Sequence, residues 1–494
     1  MAREQRDYYA LLGVLRDASS EEIRHAYFDA AQRLHPDKNK LAGETEIFLE
    51  VQQAYETLSN PKRRAQYDAT LPKQESASSF IKHKIQYSRA NLVHLDENQL
   101  LYVLLEISPR EIDKKISSPP LNICLVLDRS TSMQGEKIDV VKSVTTQLMR
   151  SLRAEDIFSV VAFSDRAEVL IPAAYKSQDE RNKLQARIQM MQPGGATEIY
   201  QGLKAGFEEV RRGLDPKRVN HIILLTDGHT YGDEQASLEL AEEAAKLNIG
   251  ISGFGIGGEW NDIFLDALAS RTGNNSSYIS KSQDIQRLLT EKFAALGNMF
   301  AEDVQLDYRQ SEGIQMNYAF RLHPEGGPVL IENPMRLGPI LQDTPLNVLF
   351  EFMIQPSASK ADLVTLLDGS LRIITSARPT PIPPIRIKLE REAGDEAKAD
   401  PPPPAILSAL SRLTLYRMQE RAQTEAEAGQ YDKATQHLKN LAVHLLSQGE
   451  KSLAKTALLQ ADQMERNKSF DQEGSKAIKY GTRALLFSTT EEQL

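Results

Sequence analysis

Asp128, Ser130 and Ser132 stand at alternate positions where the largely apolar run 121–127 ends. One carboxylate and two hydroxyls this close together are hard oxygen donors. They suit Mg²⁺ or Mn²⁺ and poorly suit Zn²⁺. Thr197 follows Gly194-Gly195-Ala196, a loop leading into a helical pattern, and Asp227 closes a second apolar run, 222–226. Apolar runs without alternation mark strands buried on both faces. Ligands in an open α/β sheet gather at the carboxyl ends of such strands. A cation held by neutral hydroxyls keeps much of its charge and an open position that favours an outside carboxylate. Asp-x-Ser-x-Ser by itself also reads as capping at a strand end. Thr197 and Asp227, present in order, make the metal reading the stronger one.

The elements around these residues alternate between strand and helix over 121–300. A helix over 137–152 places Ile138, Val141, Val144, Leu148 and Leu152 on one face. Further strands are predicted at 157–163, 167–171, 220–225, 249–256 and 277–280, with helices at 178–190, 198–211, 234–247, 261–269 and 282–296. This alternation predicts a doubly wound parallel sheet. At Asp128, Ser130, Ser132, Thr197 and Asp227 the chain resembles a von Willebrand factor A domain with a metal-ion-dependent adhesion site. The resemblance implies that Ser130, Ser132 and Thr197 touch the metal directly or through water. It also implies that Asp128 and Asp227 hold the metal's waters, and that a partner's Asp or Glu carboxylate fills the open position. His229 reads as a solvated loop residue rather than a ligand. The glycines of 253–258 end a late strand and are a weak phosphate signal. No nucleophile–base pair shows by spacing, so an enzyme is not expected.

Residues 1–72 read as a small helical module. A short helix at 7–12 closes on Gly13. Ser19-Ser20-Glu21-Glu22 starts a second helix, with Ile23, Tyr27, Ala30 and Leu34 as its core stripe. That helix stops before Pro36. A third runs over 44–58, until Asn60-Pro61 breaks it and Lys62-Arg63-Arg64 leads to Tyr67-Asp68. The module resembles the J domain of DnaJ-type co-chaperones. The resemblance rests on His35-Pro36-Asp37-Lys38-Asn39, on the opening Asp7-Tyr8-Tyr9, and on 54–61 with Arg64 and Tyr67-Asp68. It implies that His35, Pro36, Asp37, Arg24, Tyr27, Arg33 and Lys38 contact a DnaK-type chaperone and speed its ATP hydrolysis, while the module hydrolyses nothing. Phe28 and Asp29 stand where the family usually carries Lys or Arg. An acid in a positive docking face slows association, so a weak or specialised J domain is expected.

Residues 73–83 are a polar linker, and 84–120 carry strands at 84–87 and 100–107. Over 301–390 short strands follow at 304–308, 314–322, 329–332, 346–354, 371–375 and 385–390. They predict a β-sandwich that 84–107 joins, with the A domain inserted between its two parts. The proline-ending stretch 391–404 is a spacer. Helical patterns over 405–428, 432–447 and 451–467, within a helical region 405–487, predict a small bundle. The Gly429–Gly449 interval is too short for a tetratricopeptide repeat. His437 and His444 read as a solvated helix face.

The expected architecture is therefore multidomain: an all-α J domain, an α/β doubly wound von Willebrand A domain, a flanking β-sandwich and a C-terminal α-helical bundle. A net charge of −9 argues against nucleic-acid binding. Cys124 is the single cysteine, so an internal disulfide or a multi-Cys zinc site is excluded. No apolar run approaches a membrane span, and the charged start lacks a signal-like apolar region, so a cytoplasmic protein is expected. The leading expectation is a co-chaperone adaptor that binds a protein partner through Mg²⁺ (or Mn²⁺). The alternative is an A-domain subunit coupled to a ring ATPase remodelling machine.

Overall fold

The computed structural model describes residues 8–14, 16, 18–34, 42–70, 80–110, 118–174, 178–230, 232–378 and 381–485. The amino-terminal unit is built of α1 (Tyr8–Leu12), α2 (Ser20–Leu34), α3 (Ala42–Leu58) and α4 (Pro61–Thr70). α1 closes on Gly13 at φ +71°. α2 opens with a reciprocal cap: Glu22 N donates to Ser19 Oγ at 3.2 Å, and Ser19 N donates to Glu22 Oε2 at 2.7 Å. The sequence predicts a break at Asn60-Pro61. The chain does turn there, but Pro61 opens α4. Asn60 Oδ1 accepts from Lys62 N at 3.0 Å and Arg63 N at 3.3 Å. Proline at the first helical position lacks only an N–H that would have no helical partner.

Next come β1 (Ile81–Tyr87), β2 (Leu92–Val93) and β3 (Gln99–Pro109), which lead to the central domain. That domain runs β4 (Leu121–Asp128), α5 (Glu136–Ser151), β5 (Ile157–Phe163), β6 (Ala167–Ala174), α6 (Gln178–Gln189), α7 (Ile199–Arg212), β7 (Val219–Thr226), α8 (Glu234–Lys246), β8 (Gly250–Ile256), α9 (Asp262–Ser270), β9 (Ser276–Ile279) and α10 (Ser282–Gly297). Its sheet has the order β6-β5-β4-β7-β8-β9. Every pairing is parallel except β5 with β6, so the sheet is mixed at one edge rather than wholly parallel. Residues 164–166 are too few to cross over, and only a hairpin fits. All eight residues of β4 and of β7 are buried, which accounts for the apolar runs 123–127 and 222–225 within them. α5 and α10 cover one face through Ile138, Val141, Leu148, Ile285, Leu289 and Phe293. α7, α8 and α9 cover the other through Leu203, Phe207, Leu240, Phe264 and Leu268.

The chain then returns as β10 (Met299–Gln310), β11 (Ile314–His323), β12 (Gly327–Pro328), β13 (Met335–Leu341), β14 (Leu346–Ile354), β15 (Leu363–Ile374) and β16 (Ile385–Gly394). Two sheets, β1-β3-β14-β11-β12 and β13-β10-β15-β16-β2, face each other. β3, which precedes the central domain, pairs with β14, which follows it, from Leu346↔Ile107 to Ile354↔Gln99. The central domain is thus an insertion in a sandwich. The strand predicted at 329–332 is not formed, and Leu330 and Ile331 are exposed there. The pairing falls instead on β13, whose Gly338 (φ +110°) and Pro339 hid it from the alternation pattern.

Helices α11 (Pro404–Glu427), α12 (Tyr431–Ser447), α13 (Lys451–Asn467) and α14 (Gln472–Leu485) complete the chain. α11 sets Ile406, Ala409, Leu413 and Tyr416 against Leu104, Phe320, Leu322 and Leu349 of the sandwich. α14, which the periodicity did not reveal, packs on the central domain. Its Arg483 and Lys479 reach Asp266 of α9.

Candidate metal centre and interaction surfaces

β4 connects through α5 to β5 on one side and lies beside β7 on the other, so Asp128 sits where the strand order reverses. Crevices form at such points. Asp128 is fully buried. Its Oδ1 accepts from Ser130 N at 2.7 Å and its Oδ2 from Thr226 Oγ1 at 2.6 Å. Burial pushes the Asp128 carboxyl up, against the pull of the bonds from Ser130 and Thr226. Those two bonds fix the loop after β4 to the end of β7.

Ser130 Oγ and Ser132 Oγ are 3.0 Å apart, and Ser132 Oγ donates to Asp227 Oδ1 at 2.6 Å. Lys137 Nζ, from the first turn of α5, donates to Asp227 Oδ2 at 2.5 Å. The Thr197 loop is tied to the same rim. Gly194 N donates to Arg129 O at 2.8 Å, and Thr131 N donates to Gly195 O at 3.2 Å. A Cβ on Gly228 would lie 2.8 Å from Thr197 Oγ1, so the threonine hydroxyl rests against the residue after Asp227. The start of α7 is held by the loop beyond Asp227: Ile199 N donates to Thr230 Oγ1 at 3.1 Å and Tyr200 N to Asp233 Oδ2 at 2.8 Å. His229 is half-buried in that loop.

Asp128, Ser130, Ser132 and Asp227 therefore share one hydrogen-bonded cluster, and Thr197 stands beside it. The donor set fits a small hard cation. All its donor atoms are oxygens, and among the described residues no group of three or more His, Cys, Asp or Glu is placed to hold a metal ion. Ser130 Oγ and Ser132 Oγ, hydrogen-bonded to each other at 3.0 Å, would be the neutral oxygens that hold such an ion. Thr226 and Lys137 are hydrogen-bonded neighbours of the cluster that the sequence reading does not assign. Thr226 was visible only as a strand residue. Lys137 was visible as a helix start, five residues past Ser132.

In the amino-terminal unit the opening and closing motifs meet. Tyr8 N donates to Tyr67 Oη at 2.8 Å, and the two rings stack at 4.5 Å. Tyr9 Oη donates to Asp68 Oδ1 at 2.8 Å and accepts from Arg64 Nε at 2.7 Å. Burial is the main cause that raises the Tyr9 phenol pKa. On α2, Arg24, His25 and Phe28 are exposed, Phe28 by 59%. Tyr27 turns inward and stacks on Tyr55 of α3 at 4.0 Å. His35, Pro36, Asp37 and Lys38 lie outside the described residues, as do the side chains of Asp29 and Arg33.

Comparison with known proteins gives each region a counterpart. Residues 7–68 match the DnaJ domain, 122–291 the von Willebrand factor type A domain, and 404–488 the Sll0103-like C-terminal alpha-helical domain. An uncharacterized protein of Synechocystis sp., sll0103, is 26% identical over 339 residues, 65% of this chain and 78% of that protein. The chaperone protein DnaJ of Listeria monocytogenes is 53% identical over 64 residues, and this chain spans only 17% of its length. A von Willebrand factor type A structure from Catenulispora acidiphila superposes with TM-score 0.65 at 14% identity, covering 83% of this chain and 98% of that one. That likeness extends past the A domain into the flanking architecture. Among the described residues no helix is long and apolar enough to cross a membrane.

Proposed function

We propose that this chain, which joins a DnaJ domain to a von Willebrand factor A domain inserted in a β-sandwich, is a non-enzymatic, cytoplasmic co-chaperone adaptor. The A domain grips a protein partner through Mg²⁺ (or Mn²⁺) and the partner's Asp or Glu carboxylate. The J domain recruits a DnaK-type chaperone and stimulates its ATP hydrolysis. The observation that carries this reading is the oxygen cluster of Asp128, Ser130, Ser132 and Asp227 on the same chain as a closed J-domain fold. When bound, the cation supplies an electrophilic seat for a carboxylate. Asp128 fixes the Ser130 loop, Asp227 orients the Ser132 hydroxyl, and the Thr131–Gly195 bond keeps Thr197 at the rim. A scaffold that fixes donors before binding loses less ordering entropy on binding.

The test is affinity capture on the immobilised full chain in Mg²⁺ and in EDTA, with Asp128→Ala and His35→Gln as controls. The reading expects one set of proteins lost both in EDTA and with Asp128→Ala. It expects a separate nucleotide-sensitive DnaK-type chaperone lost only with His35→Gln. Capture indifferent to EDTA would refute the metal half. A chaperone indifferent to His35→Gln would refute the other.

A further inference from the structure

Lys137 is hydrogen-bonded to Asp227, one of the two carboxylates of the oxygen cluster. Its ammonium lies 2.5 Å from Asp227 Oδ2 and 3.4 Å from Ser132 O. The Asp227 side chain has no exposed surface, while the Lys137 side chain is 32% exposed. The lysine therefore reaches from solvent into a buried anion. The two oxygens of Asp227 face different donors, Oδ1 the Ser132 hydroxyl and Oδ2 the ammonium. Arg129, the other cation of this loop, points elsewhere, with Glu168 at 3.6 Å.

We propose that Lys137 is a tethered competitor cation. It neutralises Asp227 when no divalent ion is bound and weakens divalent-ion binding when one arrives. The proposal rests on the metal reading given above. A buried carboxylate left without a partner is strongly destabilising. Lys137 supplies that partner and so holds Ser132 and Asp227 in their arrangement without metal. The same charge then repels an incoming dication. Between a monovalent and a divalent cation flanking one carboxylate, repulsion weakens binding on the order of tenfold even at the dielectric constant of water. The consequence for function is a site that stays folded when empty and fills only at substantial divalent-ion concentration.

The experiment is a calorimetric titration of Mg²⁺ into the full chain, with thermal melting in EDTA and in Mg²⁺. It compares wild type, Lys137→Met, Lys137→Gln, Lys137→Arg and Asp128→Ala. The expected result is Mg²⁺ affinity on the order of tenfold tighter for Lys137→Met and Lys137→Gln, and unchanged for Lys137→Arg. Melting in EDTA should fall for the two neutral variants and recover on adding Mg²⁺. If Lys137→Met is unfolded in EDTA, Lys137→Gln carries the affinity comparison. If neither neutral variant folds without metal, the Mg²⁺ concentration that restores folding is read against the wild-type dissociation constant, and a higher value overturns the proposal. Affinity equal to or weaker than wild type in the neutral variants overturns it while leaving the metal reading intact. Absence of Mg²⁺ binding in wild type and every Lys137 variant alike overturns both.

Discussion

Substituting Asp266 by alanine should release α14 from the A domain. Asp266 receives Arg483 in a two-pronged contact, Nη1 to Oδ1 at 2.8 Å and Nη2 to Oδ2 at 2.6 Å. Lys479 Nζ adds a third contact at 2.9 Å. The cations are themselves enclosed, with 5% of the Arg483 side chain exposed and 10% of Lys479. Burial alone would push the Asp266 carboxyl up, but Arg483 and Lys479 outweigh it and hold it well below the usual carboxylate range. Removing one member of a buried pair costs about 3–5 kcal/mol, because the remaining charge has no water to return to. Lys479 keeps Asp262, so Arg483 bears most of the loss. Replacing both members by apolar groups is far less harmful. Asp266→Ala and Arg483→Met should each lower the protection of α14 amides by about 3 kcal/mol, and the double variant should lose much less than their sum. The assay is native-state hydrogen exchange read by mass spectrometry, with urea unfolding alongside. The sign with pH follows from the depressed carboxyl. Its stabilisation is present above the unfolded value of about 4 and disappears only as pH falls through the lower folded value. α14 protection in wild type should therefore stay level from neutral to about pH 5. Single variants that each cost under about 1 kcal/mol, with additive effects, would refute this account of how the helical end is attached.

Gly255→Ala should destabilise the A domain by roughly 1–3 kcal/mol in urea unfolding, since the added methyl would meet the Trp260 ring at 2.0–2.4 Å. Glu302 is pushed up to about 7 by burial, against its bonds from Ser376. Its contribution is present below an unfolded value near 4.3 and lost as pH rises through about 7. Glu302→Gln should therefore flatten the fall in stability between about pH 5 and 8, and unchanged slopes would count against it. Phe28→Lys should raise the association rate with the chaperone severalfold at low salt in stopped-flow measurements, because it restores a cation to an exposed face of α2. An unaltered rate would mean that face takes no part in docking.

What the sequence made legible follows from physics that is local or periodic. β4 and β7 read as strands because burial on both faces leaves the apolar runs 123–127 and 222–225 within them, and β14 is bounded to the residue by its own run. α2 announced itself through Ser19 and Glu22, which do form the cap their spacing suggests. At Asn60-Pro61 the same logic places the end of α3 but leaves α4 unread, because a breaker signal and a helix start share one composition. β13 escaped because Gly338 and Pro339 interrupt its alternation, and its place is set by partners in β10. α14 escaped because its inward face is polar: Lys476, Lys479 and Arg483 are buried against carbonyls and carboxylates of another domain. No window of sequence can supply those partners. Type and spacing single out Asp128, Ser130, Ser132 and Asp227, which the fold brings into one hydrogen-bonded cluster. Lys137 was not, because a lysine in the first turn of a helix is ordinary until a buried aspartate is found beside it.

The most direct measurement is steady-state ATP hydrolysis by the cognate DnaK-type chaperone in the presence of the full chain, wild type against His35→Gln and Asp128→Ala. Stimulation by wild type, abolished by His35→Gln and retained by Asp128→Ala, is the predicted result. No stimulation by wild type, or stimulation that survives His35→Gln, would contradict it.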